Sequence, residues 1–189
     1  MNQKDLYRAL RRTAWAYILL YVDFNIGTVN ILPDWWAFIL LVTVIPTIAE
    51  QEESAKLLTP LGIFLTVIEA VVWINDCCFA GAFPLYLISI VAGAINLYFH
   101  FQFFTNLASI AGKHGCKEET SILKLRTINT VLNTIAIVFS TWQINHLIMT
   151  GLLFVLMVVA VFICKVLFSF SNSLDERLSE LKEEVFVND

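Results

Sequence analysis

The chain has 189 residues, 58% hydrophobic and only 15% charged, with a mean hydropathy of +0.74 and a formal net charge of −4. A soluble domain carries about 25% charged residues, so the composition excludes a water-soluble globular protein and points to the bilayer as solvent. The small acidic excess identifies no partner, because acidic side chains contribute little to membrane topology, and no nucleic-acid partner is expected.

A helix crosses the hydrocarbon with about 20 mainly apolar residues. Six segments are candidates in chain order: 9–24, 34–49, 60–80, 84–108, 122–144 and 147–170. Arg8, Arg11 and Arg12 lead into the first, which lacks a small-residue cleavage pattern, so no cleavable signal peptide is expected. With the N-terminus placed inside, all 12 basic residues fall on one side: Lys4, Arg8, Arg11 and Arg12, then Lys56, then Lys113, Lys117, Lys124 and Arg126, then Lys165, Arg177 and Lys182. Basic residues mark the cytoplasmic face. The expected fold is an all-α polytopic transmembrane bundle of six spans at 1–170, both termini cytoplasmic, in the plasma membrane. A short amphipathic helix at 171–189 completes it.

Between the first two spans lies "DFNIGTVNILPDWW" (23–36). Asn25, Gly27, Asn30 and Pro33 are turn formers. Pro33 suits the first turn of the returning helix, Asp34 its positive end, and Trp35 and Trp36 anchor at headgroup depth. The stretch "VDFNIGTVNILPDWWAFIL" resembles a first hairpin found in uncharacterised small bacterial integral membrane proteins, with Ala37 where those often carry Gly. The resemblance implies membrane residence and the hairpin, and it transfers no activity. Six spans, size and internal termini also resemble the substrate-binding subunits of energy-coupling-factor vitamin transporters, in architecture alone.

Spans three, four and five each carry a one-sided polar stripe at helical spacing. The third has Gly62, Thr66, Glu69, Trp73 and Asp76; the fourth Ser89, Gly93, Asn96, His100 and Phe103; the fifth Arg126, Asn129, Asn133, Ala136, Ser140 and Gln143. Polar groups facing lipid go unsatisfied at a cost of several kcal/mol, so the three stripes are expected to face one another. Glu69, Asn96 and Asn133 each lie about 16–18 Å from the outer helix end, near the midplane. His100 and Asn129 form the next layer inward.

The candidate ligand-binding residues are therefore Glu69, Asn96, His100, Asn129, Asn133 and Trp73. An intramembrane carboxylate is a functional-site hypothesis by default, with Glu69 attracting a cation or carrying a proton. Interhelical hydrogen bonding, worth on the order of 1 kcal/mol, is the structural alternative. The functional expectation is binding or transport of a small solute or cation; the alternative is an accessory or scaffold protein acting through a partner. No HExxH, paired catalytic aspartates or serine elbow is present, so no enzyme, cofactor or metal site is expected.

The odd-numbered spans end in similar words, "DFN", "WIND" and "WQIN", which suggest three stacked hairpins. Cys77 and Cys78 are adjacent, and neighbouring cysteines do not easily reach disulfide geometry. Beyond the last span, Ser173 and Glu176 have the spacing of a capping box. Leu174, Leu178, Leu181 and Val185 form an apolar stripe that a protein partner or second copy would cover, unless it leans on the chain's own cytoplasmic loops.

Overall fold

A computed structural model describes the backbone of residues 3–21, 25–26, 29–30, 32–141 and 146–187, and the side chains of 4–21, 32–139 and 147–179. The α-helices are α1 (Gln3–Tyr21), α2 (Asp34–Ala49), α3 (Leu58–Phe79), α4 (Tyr86–Lys113), α5 (Glu119–Thr141) and α6 (His146–Val187). A 3-10 turn at Glu53–Leu57 precedes α3. Two-residue strands β1 (Asn25–Ile26) and β2 (Val29–Asn30) pair antiparallel within the first turn. Asp23 and Asn145 lie outside the described residues, so the comparison of hairpin ends is confined to Asn75.

Short connections make successive helices neighbours. Each helix packs on the next in chain order, and α6 returns to α1, closing a six-membered ring. Four helical stretches are long and apolar enough to cross a membrane, within α3, α4, α5 and α6. α2 is apolar but has 16 residues, about 24 Å of rise. α1 places Arg8, Arg11 and Arg12 in its first half and leaves Thr13–Tyr21 as its apolar part.

The turns show why the chain reverses where it does. Pro33 stands one residue before α2 in extended geometry (ψ 145°) rather than within its first turn, and its carbonyl accepts from the Trp36 N–H. After α3, Asn75 holds the reversal with its side chain: Nδ2 donates to the Phe83 carbonyl while Oδ1 accepts from the Phe83 N–H. After α4, Gly115 takes φ +64°, and the Gly115 and Cys116 N–H groups cap the carbonyls of Gly112 and Ala111. That is a left-handed helix stop, which costs a glycine least. Gly62 serves packing instead: a Cβ there would sit 2.7 Å from Val42 Cγ2 and 3.2 Å from Phe99. A larger residue would push α3 off α2 and α4.

The core is aromatic and off-centre. Tyr17, Phe38, Phe99, Phe103, Phe104 and Phe170 are fully buried. Phe99 meets Phe38 edge-on at 5.9 Å, and Tyr17 lies 5.1 Å from Phe104. Leu6 and Leu10 of α1, Ile45 and Ile48 of α2, and Leu107 and Ala111 of α4 extend this core toward the chain termini. The opposite ends of α3, α4 and α6 expose Phe79, Leu87, Leu147 and Phe154. Buried side chains concentrate at the terminal end of the bundle, and exposed apolar ones at its hairpin end.

The last helix corrects the expected domain division. α6 runs unbroken for 42 residues, about 63 Å, so no separate tail helix begins near residue 171. Ser173 caps nothing, because its hydroxyl donates to Glu118 at 2.9 Å from mid-helix. Leu174 and Leu178 are buried in the same core as α1 and α5. They are covered by the chain itself. The side chains of Leu181 and Val185 lie outside the described residues.

Candidate functional site

A cavity of about 250 Å³ lies between α1, α2, α4 and α5. It is lined by Leu20 and Tyr21, Asp34, Gly93, Asn96, Leu97 and His100, and Asn129, Asn133 and Ile137. Four of the six residues read from the sequence therefore share one wall: Asn96 and His100 on α4, Asn129 and Asn133 on α5. Their i, i+4 spacing on neighbouring helices places each pair one turn apart on one face.

The polar side chains bind one another in part. Asn133 Nδ2 donates to both the backbone carbonyl and Oδ1 of Asn129, at 2.8 and 3.0 Å. Tyr21 donates to the same Oδ1 from across the ring, at a long 3.4 Å. His100, 6% exposed, bonds the Tyr17 hydroxyl through Nδ1 at 2.7 Å. Its ring is held by Tyr17, Phe38 and Phe99, with centroids 5.4 to 6.0 Å away. Among the buried atoms of lining residues without a hydrogen-bond partner are His100 Nε2 and Asn96 Oδ1. Each such group costs about 1–3 kcal/mol if left so.

Glu69 and Trp73 do not belong to this wall. The expectation that the stripes of spans three, four and five converge is corrected by the ring order, in which α3 and α5 flank α4 on opposite sides. Glu69 is half-buried on α3 and makes no hydrogen bond among the described residues. Trp73 turns to α2, where it meets Trp35 edge-on at 6.2 Å. Arg126, the innermost member of the α5 stripe, donates to Thr105 and lies 4.4 Å from the Phe101 ring centre.

Sequence reading missed Tyr17 and Tyr21, which supply the far side of the site. Their signal was present: Thr13, Tyr17 and Tyr21 recur every four residues, a polar-edged stripe on α1. Asp34, read as an interfacial dipole partner, is also part of the lining.

A second polar system fastens the terminal end. Glu52 accepts from Ser109 and Lys113, each at 2.7 Å, and Lys113 also donates to the Gln51 carbonyl. Ser54 donates to Asn106 at 2.8 Å, joined by Gln102. Glu118, 4% exposed, accepts from Ser169 and Ser173 of α6 at 2.7 and 2.9 Å. Burial pushes the nearby Cys116 thiol up, with Glu118 adding to the shift and Arg177 opposing it. A raised thiol is a poor nucleophile, consistent with a packing role. All four cysteines are unpaired.

No protein-family model, no curated protein and no solved structure matches the chain. The class is set by the fold alone: a helical bundle with four helices apolar and long enough to span a membrane.

Proposed function

We propose that the chain is a plasma-membrane protein that crosses six times, with both termini cytoplasmic, and binds a small polar solute or cation in the α1–α2–α4–α5 cavity for passage across the bilayer. The six-crossing reading draws on the ring, in which α1 and α2 pack beside the four long spans. It also draws on Tyr17, which meets His100 14 residues into α4, about 21 Å along that helix. The basic residues gather at the terminal end, which the positive-inside rule places in the cytoplasm. Reporter fusions at Ala80 are expected to read external, and those at Gln51 and His114 cytoplasmic. One of these loops reading the other way would break the six-span topology.

The observation that carries the binding reading is space between the helices beside unmet hydrogen-bonding capacity. A cavity of about 250 Å³ greatly exceeds what one water needs, and His100 Nε2 and Asn96 Oδ1 await partners in its lining residues. Leu174 and Leu178, two of the four residues on which the scaffold reading draws, are covered within the chain. Gly93 lines the cavity, and a Cβ there meets only Ile137, at 3.4 Å. Gly93→Leu is therefore expected to fill space without dismantling the helix pair. Proteoliposome uptake of small polar solutes should fall to the protein-free level while thermal unfolding stays near wild type. Undiminished uptake in a folded variant would count against the cavity.

A further inference from the structure

We infer that the cavity selects an uncharged solute, one that accepts a hydrogen bond from His100 Nε2–H and donates one to Asn96, and that Tyr17 is the residue that sets His100 for this task. The inference rests on the cavity being a solute site, and it narrows the class of solute.

Tyr17 is fully buried, and among the described residues its hydroxyl has a single partner, His100 Nδ1, at 2.7 Å. A buried hydroxyl left without an acceptor carries the full desolvation penalty. If Nδ1 carried the imidazole hydrogen, it would donate to the Tyr17 oxygen and strand the phenol proton. The phenol therefore donates, Nδ1 accepts, and the imidazole hydrogen sits on Nε2. A neutral imidazole has one donor and one acceptor, and the bond at one nitrogen decides the other. Tyr17 thus makes Nε2, which has no partner of its own, a donor.

Charge then limits what can occupy the site. His100, Asn96, Asn129 and Asn133 offer dipoles and no net charge. Asp34 is the carboxylate of the lining; it stands in the first turn of α2, where the helix dipole favours its negative charge, and that charge repels an anionic solute. Glu69, the carboxylate that would have drawn a cation, lies on α3 outside the lining. A potassium or alkylammonium ion could approach the Asp34 carboxylate, but it has no lone pair to accept from His100 Nε2–H and would leave that donor unmet against its own positive charge, which is costly. A small amide, urea or alcohol meets the requirement: a carbonyl or hydroxyl oxygen for His100 and an N–H or O–H for Asn96.

The test uses the full-length protein in liposomes and nanodiscs, with acetamide, urea and glycerol against potassium and methylammonium. Uncharged probes are expected to be taken up and the cations excluded. His100→Leu should weaken uptake about tenfold, the effect of one lost hydrogen bond to a buried group. His100→Gln, whose amide N–H can stand near Nε2, should restore most of it. Nitrogen-15 spectra of histidine-labelled protein should show the proton on Nε2, and Tyr17→Phe should release the ring into mixed tautomers while uptake falls. A merely structural Tyr17 would leave the tautomer unchanged. Cation uptake with uncharged probes excluded would overturn the inference and leave the cavity as a solute site. A wild-type proton on Nδ1 would also overturn it. Absence of uptake for both classes would remove the site reading along with it.

Discussion

The two ends of this bundle use polar residues in opposite ways. At the terminal end, polar side chains lock elements far apart in sequence: Glu118 to Ser169 and Ser173, Glu52 to Ser109 and Lys113, Ser54 to Asn106. Close-packed residues surround them, including Ile48, Leu107, Ile110 and Phe170, all fully buried. Toward the hairpin end apolar side chains such as Val67, Leu87 and Phe154 face outward, and the polar residues of α4 and α5 border open space. The contrast does not rest on perfect pairing, since Asn106 Nδ2 and Glu118 Oε2 also lack partners. It rests on the cavity. Polar groups between packed helices fasten them, whereas those around the cavity form the proposed solute site.

That division yields tests. The largest effect is expected at the packed end. Glu118→Ala removes the shared acceptor of two serines in a buried place and should lower stability by about 2 kcal/mol, read by thermal unfolding in detergent. Solute uptake per folded molecule should be unchanged. Loss of uptake at unchanged stability would break the proposed separation of the two ends.

Lys113→Met should act in the same direction but less, because the Glu52–Lys113 pair is partly exposed and such pairs are worth below about 1 kcal/mol. Its signature is the pH dependence. Hydrogen bonds from Lys113 and then Ser109 hold the Glu52 carboxyl below its ordinary value of 4.5. The stabilisation is fully present above that ordinary value and is lost as pH falls through the depressed folded one. Unfolding scans between neutral and acid pH should show a shallower acid loss in the variant. An identical acid limb would mean that the pair contributes nothing.

The smallest effect is expected at Glu69. Glu69→Gln should change stability by less than about 0.5 kcal/mol and leave uptake at the wild-type level, since the side chain touches neither the cavity nor the fasteners. A marked change in uptake would return α3 to the functional wall and sharpen the comparison from the other side.

The helical phase of the cavity wall was legible in the sequence. Asn96 and His100, and Asn129 and Asn133, stand four residues apart, so each pair had to share a helix face at similar depth. What periodicity cannot report is which helices are neighbours. Glu69 has the same depth and spacing as the true lining residues, yet α3 is separated from α5 by α4. Tyr17 went unread for the converse reason: a tyrosine in an apolar run resembles ordinary core until its hydroxyl partner, 83 positions away, is known.

By itself the sequence determined the solvent and the class of fold. Apolar runs of spanning length allow only helices to satisfy the backbone in lipid, and short polar turns make consecutive helices pack side by side. Its local signals also marked the ends of α2 and α4, through Pro33 and Gly115. Only the tertiary structure decided the closing contact of α6 on α1, the continuity of α6 through Ser173, and the membership of the cavity. Those depend on long-range packing, where Gly62 lets α3 approach α2 and α4 and where a buried phenol finds its imidazole. Such choices are made by shape and by unmet hydrogen bonds between segments distant in the chain, and no local pattern encodes them.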